Sequence, residues 1–423
     1  MRLTQFTSAT PRPSALQNAQ RCLARIAERD EALGAFAFHD PVEVLRQARE
    51  LDAQPGPLAL RGVPVGVKDI FDTADMPTAY GSCLYRDHRP TRDAEAVKRL
   101  RSAGALLIGK TLTTEFAFSH PGRTVNPWHP LHTPGGSSSG SAAAVADGMA
   151  DFALASQTGG STIRPAAYCG IVGMKPTHGL IPTQGMRALS PTMDTVGLHA
   201  RTVDDLLRVW PVLSGAQPDF EGGQVRIACF PGPHAASASA DAKRALELAG
   251  VALREAGLPV QPFTPPMDDF AALSDAQRLV MAREAAYELR EEDRLHRHLL
   301  SAELVALIEF GKKVSDVAYQ QALRLAERWR TALSGMLDAN VVLMTFSAPG
   351  QAPPLTEGTG SSVFNRSWSL LGLPCLSLPF GLGAARLPLG IQFVGAFGCD
   401  AVLLRVAGPA EKAFGEYLSR TSA

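Results

Sequence analysis

Apolar residues recur at three- and four-residue spacing near the start of the chain, then gather into short β-branched runs separated by turn residues. Leu16, Ala19, Cys22, Leu23 and Ile26 mark one helical stripe, and Val42, Val44, Leu45 and Ala48 mark a second, so residues 16–52 are expected to hold two helices. Pro41, just after Asp40, is well placed to open the second. The turn cluster Gln54-Pro55-Gly56-Pro57 follows, and Val63-Pro64-Val65-Gly66-Val67 then reads as a buried strand. The pattern continues with a helix over 94–103, a strand over 104–108, a polar, turn-rich passage over 120–140 and an Ala-rich helix over 141–149. Short apolar pieces alternate with Pro and Gly from 170 to 198. An amphipathic helix is expected over 202–213 and a strand over 224–230. Two or three helices are expected over 241–337, the last carrying Val317, Leu323, Leu325, Trp329 and Leu333. Strand signals at 341–346, 375–379 and 390–394 precede a helix from Asp400 onward. This βαβ rhythm predicts a mixed or largely parallel sheet covered by helices. With no internal repeat and no long linker, one large α/β domain is expected.

Composition narrows the picture. The 423 residues are 45% hydrophobic, enough for a large core and too apolar for disorder. Lys and Arg number 41, as do Asp and Glu, and this zero balance argues against a nucleic-acid-binding surface. Six cysteines (22, 83, 169, 229, 375, 399) lie far apart with no CxxC pair, which suits a reducing compartment and speaks against structural zinc. The opening residues MRLTQFTSATPRPS show no apolar signal-peptide core, and no apolar run reaches the roughly 18 residues of a membrane span. A soluble, cytoplasmic protein is expected.

Three segments carry candidate chemistry. Gly62-Val-Pro-Val-Gly-Val-Lys68-Asp69 ends an apolar strand on a lysine, and burying an ammonium is costly. Either Lys68 reaches water at the solvated end of the strand, or its pKa falls and it becomes a neutral base. Pro134-Gly-Gly-Ser137-Ser138-Ser139-Gly140-Ser141 has the composition of a flexible linker, but it runs directly into the helix former 142–146. A Gly-rich loop feeding a helix N-terminus gathers backbone N–H groups at one place. In Gln157-Thr158-Gly159-Gly160-Ser161-Thr162-Ile163-Arg164, the paired glycines permit a nest of amides that suits a developing oxyanion; the plain alternative is a tight turn with an exposed serine. Gly136-Ser-Ser138-Ser-Gly140 formally matches the G-x-S-x-G nucleophile elbow, but three prolines in 126–134 exclude the central strand that must precede it. A P-loop lysine is absent from both Gly-rich segments.

Taken in order, Lys68-Asp69, Pro134-Gly-Gly-Ser137-Ser138 and Gly159-Gly160-Ser161 resemble the amidase signature family. Gly109-Lys-Thr, Thr114-Glu115-Phe116, Lys175-Pro176-Thr177 and Pro388-Leu-Gly390-Ile-Gln392 add to the likeness, which extends from about residue 20 to the C-terminus. The resemblance implies a single domain with a central mixed sheet covered by helices on both faces. Within it, 1–60 would supply N-terminal helices, 61–205 the catalytic core, 206–340 a helical substrate-side region, and 341–423 the strands and helix completing the sheet. It also implies a Ser–cis-Ser–Lys triad: Lys68 as base, Ser137 as bridge and Ser161 as nucleophile. Backbone amides of Thr158, Gly159, Gly160 and Ser161 would form the oxyanion hole, with Gly136, Ser138 and Arg164 against substrate. The implied activity is hydrolysis of a small amide through a seryl acyl-enzyme, with no metal or organic cofactor. A homodimer is compatible with that reading; a nucleic-acid or membrane partner is not.

Two departures from the family pattern stand out. Gln157 occupies a position where many members have Asp, which leaves open how the oxyanion loop is braced. Arg164 stands three residues past Ser161, as in the malonamidase-like subgroup, where that arginine binds a substrate carboxylate. A malonamate-like substrate is one expectation; an internal ion pair or helix cap for Arg164 is the other. His120, His129 and His132 show no ligand spacing, and Cys169 reads as a small buried hydrophobe. The alternatives to a free-standing hydrolase are a catalytically silent relative and an ammonia-supplying component of an amidotransferase.

Overall fold

The computed structural model describes residues 13–218, 223–265, 268–337 and 340–421. Eleven strands are present among them: β1 (Phe36–Phe38), β2 (Pro64–Lys68), β3 (Leu106–Thr111), β4 (Phe152–Gln157), β5 (Val172–Lys175), β6 (Thr195–Ala200), β7 (Arg226–Cys229), β8 (Val260–Pro262), β9 (Val341–Phe346), β10 (Cys375–Leu382) and β11 (Pro388–Val394). All join one sheet in the order β1-β3-β2-β4-β6-β5-β10-β11-β9-β7-β8. Parallel pairs lie towards both ends, β3-β2-β4 on one side and β9-β7-β8 on the other, and the centre is antiparallel. The sheet is mixed, as expected.

Strand side chains alternate between two buried faces, which explains why these strands read as apolar runs rather than as an in–out pattern. Val65, Val67, Leu107, Leu154, Leu198, Met174, Leu376, Ile391 and Met344 join one core. The helices Glu95–Ser102, Val203–Ser214, Ala240–Glu255 and Asp400–Thr421 contribute to the same core. On the other face, Leu106 and Ile108 pack with the two N-terminal helices, Ala15–Leu33 and Pro41–Ala53. There too, Leu343, Cys375 and Val394 pack with Phe270, Trp329 and Trp368.

Several elements escape the periodicity. β1 is only three residues long, and β5, β6 and the helix Ile163–Cys169 are short pieces whose neighbours in the sheet come from distant sequence. Among its described residues the 241–337 region holds five α-helices rather than two or three, Ala240–Glu255, Ala272–Glu288, Arg290–His296, Ala302–Lys313 and Asp316–Met336, together with β8. Ser301 and Ser315 are the physical breaks: each hydroxyl accepts an N–H of the first turn that follows and caps a new helix. The Ala-rich helix runs Ser139–Ala146, two residues earlier than its composition suggests. No helix among the described residues is long and apolar enough to cross a membrane.

Candidate active site

Lys68 ends β2 between β3 and β4 and is 0% exposed. Its Nζ lies 2.8 Å from Ser137 Oγ and 2.7 Å from Ser156 Oγ. Burial drives its pKa well below the usual lysine value, opposed only by the negative charge of Asp194. Lys110, on the neighbouring strand, is equally buried but has a carboxylate, Asp69, 3.1 Å away, together with the Phe71 carbonyl and the Thr78 hydroxyl. Two adjacent buried lysines thus meet different fates: one has an ion-pair partner, and the other is surrounded by hydroxyls that suit a neutral amine.

Ser137 follows a cis peptide bond at Gly136-Ser137 and is fully buried. The helix that begins at Ser139 is seated against the sheet by Ser141, whose hydroxyl contacts Thr111 Oγ1 and the Leu154 carbonyl. Ser138 Oγ donates to the Ser156 carbonyl at 3.2 Å and accepts from the Ser156 N–H at 3.3 Å, so it pins the end of β4. Arg164 is buried, and its terminal nitrogens donate to the carbonyls of Gly360 at 2.7 Å and Gly136 at 2.5 Å. Burial holds its guanidinium down to about 10. No carboxylate is within ion-pair distance of Arg164 among the described residues. The Gly136 carbonyl, the Ser138 hydroxyl and the terminal nitrogens of Arg164 therefore bind protein atoms, while Arg164 Nε is buried without a partner among the described residues, and of the three residues only Arg164 borders the cleft.

The loop 158–161 is anchored from one side. Gln277 Nε2 donates to the Thr158 carbonyl at 3.2 Å, Ser369 Oγ to the Gly159 carbonyl at 2.9 Å, and the Arg164 N–H to the Gly160 carbonyl at 3.0 Å. In a trans peptide the next residue's N–H points opposite to the carbonyl. The N–H groups of Gly159, Gly160 and Ser161 are therefore turned away from these anchors, and they donate to no protein acceptor among the described residues. Thr158 adds a side-chain anchor, its hydroxyl donating to Asp194 at 2.5 Å, and its N–H likewise has no protein acceptor among the described residues. Gln157 answers the question of bracing. Its Oε1 accepts the Thr162 and Ile163 N–H groups at 3.0 and 3.1 Å, capping the helix Ile163–Cys169, and its Nε2 reaches Ser369 at 3.0 Å. Gly160 is demanded by close approach: a Cβ there would sit 2.7 Å from Asn365 Oδ1 and 2.8 Å from Ser362 Cβ.

A cleft of about 440 Å³ opens onto this loop, and Ser161, 8% exposed, borders it, whereas Ser137 and Lys68 do not. The cleft wall also includes Leu189, Gln277, Met281, Leu307 and Phe310. Cys169 is buried, its Sγ donates to the Pro134 carbonyl, and burial pushes its thiol up. His132 Nδ1 contacts the Ala352 carbonyl, and His120 pairs with Glu303.

Sequence reasoning missed Ser156, Asp194, Gln277, Ser362, Asn365 and Ser369. Ser156 had a usable signal, because a serine ending the apolar run 152–155 repeats the logic of Lys68. The others lie 33 or more residues from Ser161 and stand in no motif.

The family model described as Amidase matches residues 17–404. The A-type component of glutamyl-tRNA(Gln) amidotransferase from Solidesulfovibrio magneticus is 31% identical, covering 93% of this chain and 92% of its own. A solved structure described as an amidase superposes with a TM-score of 0.88 at 28% identity over 95% of this chain and 97% of its own. The peptide amidase of Stenotrophomonas maltophilia does so with a TM-score of 0.81 at 28% identity over 95% and 94%. These relatives do not single out the malonamidase-like subgroup. With the motifs, the fold and the family match in accord, the chain belongs to the amidase signature family.

Proposed function

We propose that this protein cleaves the carbon–nitrogen bond of an amide through an acyl-enzyme on Ser161. The observation that carries this reading is the buried Lys68 amine, without a carboxylate partner and 2.8 Å from the hydroxyl of Ser137, together with a cleft that Ser161 borders. Ser161 Oγ attacks the carbonyl carbon and gives its proton to Ser137, which passes its own to Lys68 Nζ. The carbonyl oxygen becomes an oxyanion held by the free N–H groups of Gly159, Gly160 and Ser161, each worth roughly 3–4 kcal/mol in comparable sites. Collapse breaks the C–N bond as the proton returns from Lys68 through Ser137 to the leaving nitrogen. Water then adds to the ester by the same relay, releasing the acid and restoring the Ser161 hydroxyl.

Whether the ammonia is released or passed on separates two readings. The free-standing hydrolase is supported by the likeness to the solved amidases. An ammonia-supplying role within a complex is supported by the likeness to the amidotransferase component over nearly the full length of both chains. Ammonia release from a panel of simple amides and glutamine, beside Ser161→Ala, tests the shared chemistry; turnover surviving in the variant would remove Ser161 from its role. Glutamine turnover that appears only with co-purifying proteins would select the second reading, and turnover by the isolated chain the first.

A further inference from the structure

The cleft wall carries three guanidinium groups, those of Arg164, Arg278 and Arg366, against one carboxylate, that of Glu303. Glu303 is already engaged at the rim, 3.3 Å from His120 Nδ1. The three arginines are committed to different degrees. Arg164 spends its terminal nitrogens on the Gly136 and Gly360 carbonyls. Arg278 is exposed and lies 4.0 Å from Asp275. Arg366 is half-buried, and its Nε donates to Ser362 Oγ at 3.1 Å. Among the described residues no carboxylate lies within ion-pair distance of Arg366, and its two terminal nitrogens have no protein acceptor.

The brace on Arg366 also ties it to the chemistry. Ser362 packs against the oxyanion loop: a Cβ at Gly160 would lie 2.8 Å from Ser362 Cβ, and one at Gly159 would lie 3.8 Å from its Oγ. A guanidinium fixed at Nε leaves its planar pair of terminal N–H donors for a ligand, and that fork matches the two oxygens of a carboxylate. A partly buried cation with no carboxylate in ion-pair range, only the more distant charge of Asp275, is best compensated by a ligand that brings one.

We propose that Arg366 anchors a carboxylate on the substrate, so that this cleft prefers amides bearing a free carboxylate a few bonds from the scissile carbonyl. Monoamides of dicarboxylic acids and the side-chain amides of amino acids both belong to this class. The inference rests on the amide-hydrolase reading for the identity of the reaction, but not for the anchor itself.

Binding and turnover can be separated. With Ser161→Ala protein, titration calorimetry of glutarate, the acid product of glutaramate, reads the anchor alone. Arg366→Gln in that background is expected to weaken glutarate binding by about 10–100-fold, and Arg366→Lys by less, because the charge stays but the fork is lost. In the active protein, the ratio of kcat/KM for glutaramate over its neutral counterpart valeramide should fall by a similar factor in Arg366→Gln, chiefly through KM. Should Arg366→Gln not fold, as judged by thermal melting, Ser362→Ala and Arg366→Lys decide the matter: unchanged glutarate affinity in both overturns the proposal. Equal turnover of glutaramate and valeramide by the natural protein overturns it as well. If no amide is turned over yet glutarate still binds through Arg366, the anchor stands and the hydrolase reading falls.

Discussion

In the proposed relay Lys68 can act as a base only when uncharged, and its surroundings favour that form: complete burial lowers its pKa, and its neighbours are the hydroxyls of Ser137 and Ser156. A group whose pKa is depressed loses activity as pH falls through that lowered value and is fully active above it. The kcat/KM profile should therefore show an acid limb and then a plateau extending below the ordinary lysine range, and Lys68→Met should lower turnover by about 1,000-fold or more across the whole range. Arg164 calls for a different outcome from Arg366. Because it holds two buried carbonyls, Arg164→Ala should lower the melting temperature, with a loss of roughly 2–4 kcal/mol, and depress turnover of charged and neutral amides alike. A selective loss on carboxylated amides alone would instead make Arg164 a substrate ligand.

At the scale of elements, the catalytic loop is a junction between β4 and the helix Ile163–Cys169, and Gln157 is its rivet. Gln157→Ala would strip the acceptor from two N–H groups of the helix start and the donor from Ser369. A stability loss of about 1–3 kcal/mol is expected, with a fall in kcat larger than any rise in KM, because the loop's amides would no longer be held in register with the oxyanion. Denaturant unfolding beside steady-state kinetics measures both. Gly160→Ala attacks the same loop from its packed side, where a methyl group would collide with Asn365 and Ser362. Its expected signature is a drop of about 100-fold in kcat together with a lowered unfolding midpoint, as suits displaced oxyanion donors and an overpacked contact.

Across the whole molecule, the sheet buries polar groups that tie the active site to folding. His199 on β6 is 0% exposed, and its Nε2 meets the Thr162 carbonyl at 2.9 Å, directly beneath the loop. Burial lowers its pKa from 6.5 to about 4. The unfolded chain therefore takes up a proton below about pH 6.5 that the folded chain refuses until about pH 4, so stability is present above this window and drains away through it. The loss from this residue should approach roughly 3 kcal/mol at the low end. Unfolding free energies measured at pH 7 and pH 4.5 should differ more for the natural protein than for His199→Gln, and an equal difference would remove His199 from the account.

How much of this was legible in the sequence follows from where each interaction lies along the chain. The helical stripes, the apolar strands and their Ser, Asp and Gly punctuation are local, so periodicity placed β2, β9, the helices at 94–103 and 202–213 and the start of the C-terminal helix within a few residues, but not the division of 241–337 into five helices. Lys68, Ser137 and Ser161 could be singled out because three unusual runs (a charge on an apolar strand, serines leading into a helix, a serine behind paired glycines) follow one another in the order of a known signature, although each run alone had a plain alternative. What remained closed is non-local. β1 and β5 have too few residues to show a period and are strands only because a neighbour pairs with them. Gln277, Ser362, Arg366 and Ser369 meet the catalytic loop from more than 100 residues away, brought there by the folding of helices around the sheet. The chain by itself determined which chemical groups were on hand and the local elements that carry them. Tertiary structure alone decided that the Lys68 amine is dehydrated, that the loop amides are left free and that Arg366 is left without an ion-pair partner, because desolvation and hydrogen-bond pairing depend on which distant atoms close over a group.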